Sequence, residues 1–451
     1  MFNARRVEFD VFYNNVQIAG AAGGIGAEIE KLTYVDSAAD DSDSIDITID
    51  AQDDKWLNEW MPEKGATISA AVKGLYWNED GRGTKVLRCG LFTLDDLGYN
   101  DFPSTMPISG VSKPSDSNFS EFDRGDIWKN TSIKRIGADI AARYGLAFSY
   151  DADDYEIESI EQDGTDSSFY NGLCKDYGLI LKVYASQLWV YDRERYEEKP
   201  AVRTYEREGD IIRGSFNYDT TLAGTYTGGY FSYTDADKDQ DIICSIGGGT
   251  RTKSINQRAT SVLDASIQLC AALNTANHEI TKISFRVPGD WSVSAANNIC
   301  ISGYGKLDGK YFVNKVTHSF DKSGGYTTAL ECSKIVTPFH YWEVGGTIQK
   351  HEKNSGKKTK YSSTYETTSP SANADSSAGG AEAGKAVNLS NAPFYYTSTA
   401  PSASCHKSGT YYFYDGILVN GRYRMTNLKE RCGKLPVGKN VTGWVPAENC
   451  K

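Results

Sequence analysis

The sequence predicts a mainly β protein with an α+β insert, and three observations carry that prediction. Short apolar runs of period two recur near both ends of the first 340 or so residues. The 451-residue chain holds 29 Tyr and 43 Gly against only 4 Met. Capped stretches with helical spacing concentrate between residues 127 and 195. Alternation places every second side chain on one face of a strand, and Tyr suits pleated, half-buried surfaces. A chain of this length exceeds one ordinary core and divides into about three or four units.

The first unit, residues 1–120, reads as the strands of a small barrel or sandwich. Arg6–Tyr13 sets Val7, Phe9, Val11 and Tyr13 on one face. Ser44–Ile49 does the same with Ile45, Ile47 and Ile49. Lys64-Gly65 marks a turn before Thr67–Val72, and Asn78-Glu79-Asp80-Gly81 predicts a hairpin before Val86–Leu94.

Residues 121–200 change character. Ser132 is placed to cap a helix bearing Ile133, Ile136, Ile140 and Tyr144, stopped by Gly145. A strand, Ala147–Tyr150, follows. Ser168 is the expected cap of a second helix with Phe169, Leu173 and Tyr177 inward, stopped by Gly178. Leu179–Tyr184 and Leu188–Tyr191 read as a hairpin around Ala185-Ser186-Gln187.

Residues 201–345 read as a second barrel with one helix. Tyr-rich strands break at Gly228-Gly229, and a helix near Ala259–Leu273 carries Val262, Leu263, Leu269 and Leu273. Strands return at Ile280–Val287, Ile299–Ser302, Tyr311–Phe320 and Tyr326–Cys332, with Gly324-Gly325 in the last turn. Residues 346–390 hold almost no aliphatic side chains. They bury too little to offset ordering entropy and are expected to be a disordered linker. Residues 391–451 regain aromatics and strand patterning, at a size that suits a small SH3-like barrel.

Charge is uneven. Residues 1–345 carry 34 basic and 52 acidic side chains, for −18; residues 346–388 carry 6 and 4, for +2; residues 389–451 carry 8 and 3, for +5. An acidic body disfavours a duplex-binding groove, which needs clustered Lys and Arg, so no specific nucleic acid partner is expected. Nine cysteines stand singly with no CxxC pair, which argues against a zinc ribbon or a disulfide scaffold. Cys405, Cys432 and Cys450 share the last unit, where one bridge stays open; free thiols fit synthesis in the cytoplasm. The opening residues lack the apolar core of a signal peptide, and no run of 18 apolar residues exists, so neither secretion by a leader nor a membrane span is expected.

The search for chemistry yields little. Five histidines (278, 318, 340, 351 and 406) show no metal-ligand spacing, and each reads as structural or solvent-facing. Cys174 and Cys270 sit on apolar helix faces, as core thiols do. The glycines from Gly20 to Gly26 lack the Lys-Ser/Thr pair of a phosphate loop, and Gly303-Tyr304-Gly305 falls between two strands as a hairpin loop. Asp40, Asp41, Asp43 and Asp46 miss the calcium-loop order and read, like Asp151, Asp153 and Asp154, as solvated loops. No catalytic residue, metal or cofactor is expected. In the last unit an aromatic groove of Tyr411, Tyr412, Tyr414 and Trp444, with Arg422, Arg424 and Lys429 beside it for an anionic group, is the candidate binding site; the alternative places about half of these rings in the core.

Five ordered segments resemble the phage late-control protein D family of baseplate hubs. They are SDSIDITIDAQDDKWLNEWMPEKGATISAAV (42–72), CGLFTLDDLGYN (89–100), DIWKNTSIKRIGADIAARYGLAFSYD (126–151), DSSFYNGLCKDYGLILKVYASQLWVYDR (166–193) and WSVSAANNICISGYGKLDGKYFVNKVTHSFDKSGGYTTALEC (291–332). Asn297 and Asn298 depart from the family, which has Gly before that strand, and no β-helical spike follows residue 345. The last unit is similar to SH3-like modules of Gram-positive phage tail proteins. The resemblance implies two pseudo-equivalent, tail-tube-like barrels per subunit and a homotrimer that joins a sixfold tube to a threefold spike. Its implied partners are the tail tube, spike and baseplate wedge proteins, with a cell-wall polymer or tail lysin at the last module. Its implied place is the baseplate of a phage virion or tail-like particle, made in the cytoplasm and released by lysis. The alternatives are a tail-associated peptidoglycan hydrolase and a cell-wall-binding protein.

Overall fold

The computed structural model describes residues 5–20, 23–24, 28–39, 42–77, 83–114, 118–184, 186–236, 238–322, 325–350, 366–367, 381–395, 398, 403, 405–419, 421–433 and 441–450. The chain divides into two compact units: 1–225 with 274–338, and 226–273 with 339–451.

The first unit begins with β1 (Arg6–Tyr13), β2 (Val16–Gly20), β3 (Gly23–Gly24), β4 (Ile29–Ser37), β5 (Ser44–Asp50), β6 (Thr67–Leu75), β7 (Thr84–Leu97) and β8 (Thr105–Val111). Their order in the sheet is β4-β5-β8-β7-β6-β1-β2-β3, each neighbour antiparallel. The expected alternation holds: Ile45, Ile47 and Ile49 are buried, and Val11, Ile68, Val72, Phe92 and Leu94 share their core. Asn14 and Asn15 have positive φ, which suits the tight β1–β2 turn. The turn expected at residues 78–81 lies outside the described residues, although Tyr76 and Gly83 bond across its base.

The insert holds α1 (Asn118–Glu121), β9 (Ile127–Ser132), α2 (Ile133–Arg143), β10 (Ala147–Asp151), β11 (Glu156–Glu161), α3 (Asp166–Asp176), β12 (Leu179–Tyr184), β13 (Gln187–Asp192) and α4 (Arg193–Glu198). Ser132 caps α2 by accepting from Arg135 N, as expected, and Gly145 takes φ +64. The second helix begins earlier than expected: Thr165, not Ser168, is the cap and accepts from Ser168 N. The shift turns Tyr170 fully inward beside Leu173, and Phe169 is only half-buried. Strand β13 lies between β12, antiparallel, and β10, parallel.

Next come β14 (Arg203–Glu206), β15 (Asn217–Thr220), β16 (Gly228–Asp235), β17 (Gln240–Gly247), β18 (Thr252–Ile255), α5 (Val262–His278), β19 (Thr281–Pro288), β20 (Asn298–Ser302), β21 (Gly309–Asp321), β22 (Gly325–Lys334) and β23 (Gly345–Lys350). The segment expected to form one second barrel divides between two sheets. Strands β15-β19-β22-β21 continue the large sheet by pairing β21 with β4, and β14 and β20 join it through β21. Among the described residues no sheet closes into a barrel; the large one has 14 strands. A second core of Tyr205, Ile283, Phe285, Val287, Ile299, Ile301, Tyr311 and Val316 fills this half.

In the second unit, β16, β17, β18 and β23, with a two-residue strand β24 (Glu366–Thr367), form a five-stranded sheet against which Leu269 and Leu273 of α5 are buried. Gly228-Gly229 opens β16 rather than breaking a strand. A Cβ on Gly229 would lie 2.8 Å from Leu269 Cδ1, so close helix packing requires glycine. Leu263 of the same helix is exposed. The linker was expected to start at residue 346, yet Gly345–Lys350 pairs along β17. Residues 351–365 and 368–380, where the expected disorder falls, lie outside the described residues. The last four strands are β25 (Ala386–Phe394), β26 (Cys405–Val419), β27 (Arg422–Thr426) and β28 (Gly443–Pro446), an antiparallel sheet in chain order.

Two helical glycines of the insert separate packing from propensity. A Cβ on Gly137 would overlap the Tyr170 hydroxyl, whereas one on Gly172 meets nothing within 4 Å. Gly137→Ala should destabilise by about 1–3 kcal/mol through overpacking. Gly172→Ala should stabilise by about 0.5–1 kcal/mol through helix propensity. Denaturant unfolding of both variants reads the difference.

Candidate functional site

The ladder between β4 and β21 is the centre of the first unit. It pairs Lys31 with Asp321, Leu32 with Phe320, Tyr34 with His318 and Ser37 with Lys315. His318 is 1% exposed and lies parallel to the Tyr34 ring, 6.0 Å between centroids. Tyr326 donates to the Asp290 carbonyl at 2.6 Å, so its oxygen accepts from His318 Nδ1–H at 2.8 Å. Burial lowers the His318 pKa to about 4 and keeps it neutral. This is a satisfied core histidine, as its strand position suggested.

Beside that ladder lies a buried ionic cluster. Lys182 of β12 meets Asp36 at 2.5 Å and Asp43 at 3.3 Å. Asp36 also accepts from Ala295 N, and Asp43 accepts from Ser37 N and the Tyr34 hydroxyl. The expectation of a solvated acidic loop is corrected here: Asp43 is fully buried, while Asp46 accepts from Ser109. Asp40 and Asp41 lie outside the described residues. Burial pushes the Asp43 carboxyl up to about 6 against the pull of Lys182. Asp151, Asp153 and Asp154 are exposed, as expected, and also bond locally: Asp154 accepts from Ser132 and Lys134 N at the start of α2, Asp153 pairs with Arg195, and Asp151 accepts from Tyr196.

The other buried acids are spoken for as well. Asp166 takes Arg143, Arg124, Tyr144 and Gln162; burial alone would raise its pKa, but these donors hold it below the ordinary carboxylate value. Asp290 takes Arg203 and Tyr205. Glu197 takes Arg193 at 2.8 Å, with His278 at 3.5 Å. All nine cysteines are free thiols, and burial raises the Cys89, Cys174 and Cys332 thiols far above their ordinary value. Among the described residues no three His, Cys, Asp or Glu side chains gather as metal ligands, and no helix is long and apolar enough to cross a membrane.

The last four strands place the expected binding residues as follows. Val387, Leu389, Phe394, Phe413, Tyr423, Met425 and Val445 form the core. Period two then turns Arg422, Arg424 and Trp444 to the other face. Arg424 stands opposite Trp444 in register, its guanidinium 4.9 Å from the ring centroid. Arg422 lies 3.5 Å over the ring of Tyr395, and Tyr395 and Trp444 exchange two backbone hydrogen bonds of 2.9 Å. The result is two arginine–aromatic pairs side by side. Tyr414 is buried, and Tyr411 tilts onto Phe394 at 4.9 Å against the core, so neither ring lines an open groove. Tyr412 and Trp444 stay half-buried, and Lys429 is exposed on a short turn. Arg424 donates to Asp415 at 2.8 Å, both side chains being 10–15% exposed. Sequence reasoning missed Tyr395 and Asp415. The position of Tyr395 next to inward Phe394 was the available signal; the Asp415 pairing depends on a bulge in β26 that alternation does not reveal.

No family model matches the chain, and no curated protein matches it. The fold is shared with solved tail proteins. A tail protein from Neisseria meningitidis superposes with a TM-score of 0.55 at 13% identity, covering 73% of this chain and 96% of that one. The 43 kDa tail protein of prophage MuSo2 from Shewanella oneidensis gives 0.54 at 11%, covering 72% and 98%. The chain therefore has a β-rich fold of the phage tail protein type.

Two predictions follow from the buried charges. Asp43 has a folded pKa above its unfolded value, so the native state binds the extra proton. Stability should fall as pH rises from about 4 to about 6, by on the order of 1–3 kcal/mol. Asp43→Asn should flatten that part of the difference curve in urea titrations at several pH values. In the last module, Arg424→Ala leaves Asp415 buried without its partner and should cost about 3 kcal/mol. Arg422→Ala should cost less than about 1 kcal/mol. Thermal melts of the full chain followed by Trp fluorescence compare the two.

Proposed function

We propose that the chain is a structural baseplate hub of a phage tail or tail-like contractile particle, without catalytic activity. One observation carries this reading: the fold matches two tail proteins over nearly their whole length, and within it the two β halves run as one sheet through the β4–β21 ladder. In this reading three copies close into a ring. Each copy contributes two similar β halves, giving six positions toward a sixfold tail tube and three toward a spike. The alternating segments that suggested the late-control protein D family occupy these halves and the insert. The engagement of the buried acids in salt bridges favours structure over catalysis by a wall-cutting enzyme. The last four strands act as an SH3-like module whose Arg422–Tyr395 face meets an anionic wall polymer or a neighbouring tail protein. Native mass measurement of the purified full chain should give three times the monomer mass. A chain that stays monomeric at micromolar concentration, or clears a bacterial-wall zymogram, overturns the reading. Arg422→Ala should weaken retention on isolated walls while leaving the melting curve intact.

A further inference from the structure

One end of the first β half is chemically unlike the rest of the molecule. Strands β1, β5 and β7 finish there, and β6 and β8 start there: Tyr13 pairs with Ile68, Asp50 with Thr105 and Thr67 with Thr93. The connections 14–15, 51–66 and 98–104 therefore emerge together. They are tied by Asn14 N to Thr67 O, Glu63 N to the Tyr13 hydroxyl and Ala51 N to Ser104 O. Val16, Leu57, Trp60, Met61, Tyr99 and Phe102 lie on or beside these connections with exposures from 38% to 99%, Phe102 being the most exposed. They are six of the sixteen strongly exposed large apolar side chains among the described residues.

Trp60 among them is held in place. Trp56 is buried and donates to Glu28, Trp60 packs edge-on against Trp56, and Lys55 lies over the Trp60 ring while paired with Glu28. Trp60 is thus fixed with almost half its surface in water. Its neighbours are acidic: Asp53, Asp54, Glu59, Glu63 and Asp101 are exposed in the same connections, against Lys64 as the one exposed ammonium group there.

We infer that this end is a docking face for a protein partner that offers apolar pockets inside a rim of Lys and Arg. Burial of Trp60, Met61 and Phe102 supplies the affinity, and Trp60, already held by Trp56 and Lys55, loses little freedom on binding. The carboxylate rim supplies orientation and rate. The same rim repels nucleic acid and anionic bilayers, and it repels a second copy of this face, so a basic protein surface is the occupant that the charge selects. The inference rests on the tail-component reading only for its probes, the tail tube and spike proteins produced with this chain.

The test uses the purified full chain and each of those two proteins, with binding measured at low and high salt. One of the two should bind the wild-type chain, more weakly at high salt. Trp60→Ser with Met61→Ser and Phe102→Ser should weaken that binding by about ten-fold or more. Glu59→Lys with Glu63→Lys and Asp101→Lys should weaken it and remove most of its salt dependence. Val202→Ser with Leu222→Ser, exposed elsewhere in the first unit, should leave it unchanged. Full affinity in both face variants, or binding by neither probe, overturns the docking face. Native mass of the same samples is read in parallel: variants that keep the wild-type oligomer are folded. Face variants that remain trimeric and bind as the wild type does would sink this inference while leaving the hub reading standing.

Discussion

The β4–β21 ladder is the contact on which the rest of the first unit depends. A strand's backbone donors and acceptors must be paired if they are not to be buried unmet. Here the pairing joins residues 31–37 to 315–321, almost the full length of the β body. Closing so long a loop is entropically unfavourable, though the cost grows only slowly with length. It is offset by two cores that meet along the ladder: Phe320 and Tyr326 belong to the core of the first half, while Val316 and Leu330 on the same strand pair belong to the second. One hairpin thus serves two cores, and neither half presents an open edge where they join.

The same ladder positions the insert. Asp36 lies opposite Val316 in register, and through Lys182 it holds β12 while accepting from Ala295 N. Such a cluster has two carboxylates for one ammonium and adds little net stability, because desolvating three charges is expensive. Its value is selectivity. A shift of the insert by one residue would strand Lys182 among apolar side chains, a far larger penalty than a packing defect. The Asp166 cluster acts similarly within the insert, linking α2, α3 and the segment before β9 through Arg143, Arg124 and Gln162.

Local rules made most of the elements legible. Period two gave β1, β5 and β21, and the Ser132 cap with Gly145 gave α2 with its buried Ile136 and Ile140. What failed was non-local. Whether two sheets close separately or run together depends on which edges meet, and nothing in residues 29–37 names residues 315–321 as their partner. Asp43 looked like a loop acid because its partner, Lys182, is far away in sequence. Gly229 looked like a break because the helix that needs its missing Cβ comes some forty residues later. In the last module, composition alone grouped Arg422, Arg424 and Trp444, and period two in β27 and β28 turns them to one face. Tyr411 shares the inward face of Phe413 by plain alternation, and Tyr414 is buried where a bulge in β26 interrupts the pairing after Phe413. Arg424 was read as open to a ligand because its partner Asp415 sits across the same irregularity.

The exposed rings at one end of the first half differ in kind from those in the cores. Alternation forces Ile45, Ile47 and Ile49 inward; a polar residue there would bury an unmet group. No such constraint acts on Met61 or Phe102, which sit in connections that any polar residue would fill without loss of a backbone hydrogen bond. Exposed apolar side chains raise the tendency to aggregate and contribute little to folding. Folding therefore accounts for Trp56, which is buried and bonded to Glu28, but not for Trp60 four residues later. A side chain that the fold does not require, held by Trp56 and Lys55 with almost half its surface in water and flanked mostly by carboxylates, is explained by a contact outside the chain.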